Sequence, residues 1–181
     1  MKKYSERFLT RDSVLNYEDE EYAVNGYSSA MWELQKPFIR EILEAKNGIG
    51  DGCRLLDFAC GTGRVLSYME KFTRESDGVD ISEAMVARAG SRCPKSRLVV
   101  GDLCAEEILL EKPYEVVTCF RFLLNAEPGL RAAVLEQLRK RIDSEKGIFM
   151  VNVHGNRRSS RYFSLLLRRM RVAPPTMPQL C

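Results

Sequence analysis

Hydrophobic and polar positions along this chain follow first a helical period and then a regular alternation of short apolar runs with amphipathic stretches. From about Ser28 to Lys46, apolar residues recur at helical spacing, with Met31, Leu34, Phe38, Ile39, Ile42 and Leu43 on one broad face. Pro37 is expected to break or kink that helix, or to start its second half. Asn47-Gly48-Ile49-Gly50-Asp51-Gly52 reads as a loop. Beyond it, apolar runs predict strands at Arg54–Phe58, Ser76–Val79, Arg97–Val100, Tyr114–Phe120 and Gly147–Val153. The intervening stretches predict helices at Arg64–Phe72, Glu83–Arg92, a short one near Ala105–Leu110, and Leu130–Arg141. Ser82 suits an N-cap, and Pro128 suits a first helical turn. Strands that are apolar almost throughout and alternate with helices predict an α/β fold, a doubly wound and mainly parallel sheet with helices on both faces. In such a sheet, ligands bind beyond the carboxyl ends of the strands.

Composition refines this picture at the two ends. The 181 residues suit one domain with a substantial core. Residues 1–27 form a polar N-terminal extension, 28–156 the folded domain, and 157–181 a basic amphipathic helix followed by a proline-rich tail. The net charge of +3 is unevenly placed. Arg157, Arg158, Arg161, Arg168, Arg169 and Arg171 lie in one acid-free stretch, and without them the chain would be acidic. That stretch reads as a solvated helix face, or as a contact for an anionic ligand, RNA or membrane surface. No apolar run approaches the ~20 residues of a membrane span, and no apolar segment follows the basic N-terminus as a secretory signal requires. The six cysteines include no CxxC pair. Their scatter argues against a disulfide framework or a zinc site and favours a reducing cytoplasm.

The chemistry concentrates where the first predicted strand ends. Asp57 precedes the small-residue run Ala59-x-Gly61-x-Gly63, and a helix follows. Small residues let the backbone approach a ligand, and the helix start offers free N–H groups to it. Asp80 follows the second strand and Asp102 the third, so all three carboxylates fall on one rim of a parallel sheet. An acid at the second position can accept both hydroxyls of an adenosine ribose, and one at the third can accept the adenine amino group. Ile81 and Leu103 stand beside them to sandwich the purine. A nicotinamide fingerprint needs a third glycine where Leu66 stands, which disfavours an NAD-dependent oxidoreductase. A P-loop fails for want of Gly-Lys-Ser/Thr after the turn.

Together, Asp57-x-Ala59-Cys60-Gly61-Thr62-Gly63, Val79-Asp80-Ile81-Ser82 and Gly101-Asp102 closely resemble the class I S-adenosylmethionine-dependent methyltransferases over about residues 28–153. The resemblance implies a Rossmann-like sheet, ordinarily of seven strands, and S-adenosylmethionine as cofactor. By that resemblance, Asp57 and the turn Ala59, Cys60, Gly61, Thr62 and Gly63 border the methionine moiety. Asp80 holds the ribose, Ile81 and Leu103 lie beside the adenine, Asp102 receives its amino group, and Phe120 joins the cofactor contacts. The family's commonest first small residue is glycine, where this chain has Ala59. Too little chain follows Val153 to supply the family's last two strands, so five strands are expected with the sixth and seventh missing. That leaves either a shortened member or one whose sheet another copy completes through an open edge.

Methyl transfer from a sulfonium needs positioning more than a strong base, so the lack of a Ser/His/Asp set or a metal cluster does not argue against catalysis. His154, the only histidine, follows the fifth strand and is either a general base or a strand-end cap. Arg121 and Asn125 after the fourth strand are candidates for the acceptor pocket, and Tyr17 and Tyr22 for a lid. The run Phe120-Arg121-Phe122-Leu123 does not resemble the Asn/Asp-Pro-Pro-aromatic run of exocyclic-amine nucleic-acid methyltransferases, and Cys119 reads as a buried strand residue rather than a nucleophile. The Arg121–Asn125 segment and Val151–Asn156 after the fifth strand, which could both face the acceptor, resemble those of bacterial methyltransferases acting on small metabolites, saccharides or lipid-linked glycans. That resemblance implies a small-molecule or saccharide acceptor, methylated at oxygen, rather than nucleic acid. The rival reading is a non-catalytic protein of the same fold, acting as a cofactor-binding or partner subunit.

Overall fold

The computed structural model describes residues 26–47 and 52–152. Helix α1 (Tyr27–Asn47) leads into β1 (Cys53–Phe58), α2 (Leu66–Met69), β2 (Thr73–Asp80), α3 (Glu83–Gly90) and β3 (Arg97–Val100). Then come β4 (Val116–Cys119), α4 (Phe122–Asn125), α5 (Pro128–Arg141) and β5 (Ile148–Val151). The strands form one sheet in the order β3-β2-β1-β4-β5, and every pairing is parallel. The order reverses at β1, between β2 and β4, which puts the switch point directly beyond Phe58. No described helix is long and apolar enough to cross a membrane.

Alternation along β1 feeds two cores, as expected for a strand covered on both faces. Cys53 and Leu55 pack with Trp32, Ile39 and Leu43 of α1, Leu66 and Met69 of α2, Val116 and Met150. Leu56 and Phe58 pack on the other face with Val117, Cys119, Phe122, and Val134 and Leu138 of α5. The amino ends of the strands carry a polar brace instead. Asp77 receives Arg97 Nε at 2.9 Å, Arg97 Nη2 at 3.0 Å and Arg54 Nη2 at 3.2 Å, and the Tyr114 hydroxyl donates to it as well.

Several expected elements need correction. Helix α1 runs unbroken through Pro37, an exposed position where the carbonyl left without a donor can face water. Its buried stripe is Trp32, Ile39 and Leu43, while Leu34 and Phe38 stay exposed, because the helix touches the sheet along one narrow line. Residues 105–110 form no helix. The chain there is drawn into turns by Asp102 and Arg141, and Leu109 takes a left-handed conformation (φ +58°). The short α4 was not expected, and the first helix after the glycine turn keeps only Leu66–Met69. The fourth strand is shorter than Tyr114–Phe120, with Tyr114 reduced to a single bridge to Ile142. The basic segment Arg157–Arg171 and the proline-rich tail lie outside the described residues.

Candidate functional site

The turn after β1 is shaped by three left-handed residues, Ala59 (φ +54°), Gly61 (φ +55°) and Gly63 (φ +80°). At Gly63 a Cβ would sit 2.6 Å from Cys93 Sγ and 3.1 Å from Ala89 Cβ, so the turn lies against α3 with no room for a side chain. Asp80, one strand away, staples the turn. Its Oδ2 accepts from the Gly61 N–H at 3.0 Å and its Oδ1 from the Ser82 N–H at 2.9 Å. Ser82 in turn caps α3, accepting from the Met85 N–H. Burial raises the Asp80 pKa, partly opposed by these backbone donors. Each carboxylate oxygen keeps further lone pairs on the rim for a ligand's hydroxyls.

Asp57 is 2% exposed. The Thr118 hydroxyl donates to its Oδ1 at 2.6 Å, while its Oδ2 is buried without a hydrogen-bond partner. Burial pushes its pKa up to about 7, with the Thr118 bond opposing and the Asp80 charge adding to the rise. An orphaned buried carboxylate oxygen is costly, and its natural complement is a cationic donor. Asp57 lines a cavity of about 60 Å³ together with Ala59 and Cys60 of the turn, Arg64, and Ser28, Trp32 and Gln35 of α1. Phe120, Arg121 and Asn152 close its far side. Arg64 holds α1 over this cavity by donating to the Ser28 carbonyl at 2.7 Å, with its guanidinium 5.5 Å from the Trp32 ring centre.

The remaining candidates divide. Ile81 is 40% exposed on the rim beside Asp80. Asp102 is also exposed, its Oδ1 taken by the Cys104 N–H at 2.8 Å. Leu103 is 1% exposed and belongs to the core beneath the loop, so its side chain offers the purine no free face. Thr62 is likewise buried. Arg121 has a left-handed backbone (φ +64°), and its N–H donates to Asn152 Oδ1 at 2.6 Å. Asn125 is exposed and turns its amide back to the Arg121 carbonyl at 2.5 Å, outside the cavity lining. Cys119 is fully buried with its thiol pushed up to about 12, so no thiolate nucleophile stands there. His154, Tyr17 and Tyr22 lie outside the described residues.

Sequence reading placed Asn152 only within a segment facing the acceptor, and it missed Thr118, Trp32 and Arg64. Thr118 left one trace, a polar residue inside the apolar run Val116-Val117-Thr118-Cys119. The others act through contacts between elements distant in sequence.

A parallel sheet with a glycine turn at its switch point, one acid under the turn and two more along the rim, defines a Rossmann-like fold built for an adenosyl ligand. Residues 55–144, 90 of the 181, match the family model of the methyltransferase domain, and this segment is such a domain. It is 27% identical over 127 residues to a dTDP-4-amino-2,3,4,6-tetradeoxy-D-glucose N,N-dimethyltransferase of Saccharopolyspora spinosa, a match covering 67% of this chain and 48% of that protein. The chain thus spans about half the length of that curated relative. Among solved structures, the fold is shared with a TehB-like SAM-dependent methyltransferase of Corynebacterium glutamicum (TM-score 0.59, 18% identity, 88% of this chain and 83% of that one). It is also shared with the SAM-bound amino pentose methyltransferase CalS10 of Micromonospora echinaspora (TM-score 0.60, 22% identity, 78% of this chain and 56% of that one).

Proposed function

We propose that this chain transfers a methyl group from S-adenosylmethionine to a small-molecule acceptor, a saccharide by preference. The observation that carries the reading is the buried, partnerless Oδ2 of Asp57 in the cavity beside the glycine turn. It suits the ammonium group of the cofactor's methionine half. Asp80 would take the ribose hydroxyls, Ile81 one face of the adenine, and Asp102 its amino group. Leu103 supports that rim from the core rather than touching the purine. Once bound, the cofactor supplies a sulfonium-linked methyl group open to in-line displacement.

The chain's own residues would orient and exclude water. Trp32 and Gln35 of α1 wall one side of the cavity, and Phe120, Arg121 and Asn152 the side where an acceptor would enter. His154 follows β5 by three residues, and its place as a base rests on that position alone.

The curated relative acts on an amino sugar, which supports a nitrogen acceptor over the oxygen expected from the sequence. Transfer of labelled methyl to a dTDP-linked 4-amino sugar and to its 4-hydroxy counterpart tests both. Transfer to the amine, lost in Asp57→Asn, is expected. Donor binding without transfer to either sugar, or to a wider panel of small amines and alcohols, would overturn the enzymatic reading in favour of a cofactor-binding partner subunit.

A further inference from the structure

Arg141, the last residue of α5, is 1% exposed and has no carboxylate partner among the described residues. A charge so deeply buried is stable only where its donors are taken up. Here backbone carbonyls take them. Nε and Nη2 donate to the Ile108 carbonyl at 3.0 and 2.8 Å, Nη2 also reaches the Glu106 carbonyl at 3.4 Å, and Nη1 donates to the Gln137 carbonyl at 2.8 Å. The backbone of the same residue is fixed as well, because its carbonyl accepts from the Tyr114 N–H at 2.7 Å. One side chain therefore joins the end of α5 to the segment between β3 and β4.

That segment carries Asp102. The Asp102 carbonyl accepts from the N–H groups of Ala105 and Glu106 at 3.0 and 2.8 Å, and its own N–H donates to Glu106 Oε1 at 3.0 Å. Glu106 thus grips Asp102 from both its backbone and its side chain, while Arg141 grips the carbonyls of Glu106 and Ile108. These local bonds end at Glu106; beyond it the chain forms no helix and Leu109 adopts φ +58°, so the far side of the segment is held from outside. Few neighbours besides a guanidinium could hold it, because a planar fork of five N–H donors can serve several carbonyls at once.

We propose that Arg141 is a positioning residue for the purine end of the cofactor site, setting the Asp102 carboxylate where it reads the adenine amino group. This rests on the S-adenosylmethionine reading above. It predicts that selectivity for adenine depends on a residue at the far end of α5 that touches no ligand.

The test uses Arg141→Lys, which keeps the charge and loses the fork, with Arg141→Met as a second variant. Hydrogen exchange is measured at the Ala105 and Glu106 amides and at those of β1, without ligand. Binding of S-adenosylhomocysteine is then compared with that of S-inosylhomocysteine, which has an oxygen in place of the adenine amino group. The expected result is at least tenfold faster exchange at Ala105 and Glu106, unchanged exchange in β1, and at least a tenfold smaller preference for the adenine ligand. Unchanged exchange at Ala105 and Glu106, an equal rise throughout β1, or an undiminished preference would overturn the proposal. Failure of the cofactor reading itself looks different, because the unmodified chain would then bind neither ligand.

Discussion

Asp57 concentrates the site's energetics in one side chain. In solution its carboxyl would titrate near 3.8, but burial with a single hydroxyl partner moves this to about 7. Between about pH 4 and pH 7 the folded chain keeps a proton that the unfolded chain has lost, so stability from this group falls as pH rises through that window. Asp57→Asn should therefore stabilise the unliganded chain above pH 7, by up to roughly 4 kcal/mol less the burial cost of the amide. Thermal melts at pH 5 and pH 8 check this: the gain should be large at pH 8 and small at pH 5. Thr118→Val removes the donor at 2.6 Å and should raise the Asp57 pKa further, which a carboxyl titration by NMR would read directly.

At the scale of elements, the glycine turn and the strand-end brace make opposite demands on their residues. Gly61 and Gly63 are both left-handed, yet a Cβ on Gly61 would find only Met85 Sδ at 4.0 Å, while one on Gly63 would collide with Cys93. Gly61→Ala should cost about 1 kcal/mol of backbone strain, and Gly63→Ala about 3 kcal/mol once overpacking is added. Denaturant unfolding of the two variants checks the difference. The brace is sensitive to loss rather than to added bulk. Asp77→Ala would leave Arg54, 7% exposed, without a buried counter-charge and should cost about 3–5 kcal/mol in the same assay.

What the sequence made legible follows from the same physics. The strands were readable because β1 and β4 are buried on both faces and so stand out as apolar runs. The turn was readable because left-handed backbone favours glycine at Gly61 and Gly63, and Asp57, Asp80 and Asp102 were readable because each acid interrupts or ends an apolar run at a strand end. Residues 105–110 were misread because Arg141, more than thirty residues on, takes up the Glu106 and Ile108 carbonyls that a helix would have used. The wide apolar face assigned to α1 was misread because only the tertiary contact decides that Trp32 is inside and Phe38 outside. Thr118 became visible as a site residue only once β4 lay beside β1.

For the whole molecule, the parallel order β3-β2-β1-β4-β5 brings Asp102, Asp80 and Asp57 to the same rim from three neighbouring strands. With the methionine ammonium seated on Asp57 as proposed, its binding and the loss of the Asp57 proton would be one linked event. Titration calorimetry of the full chain with S-adenosylhomocysteine, at pH 8 and pH 6 and with Asp57→Asn alongside, tests that linkage. Binding is expected to weaken several-fold from pH 8 to pH 6 and to be lost in Asp57→Asn, since affinity is complete only where Asp57 is free to ionise. Binding that ignores both pH and the substitution, or no binding by a chain shown to be folded, would contradict it.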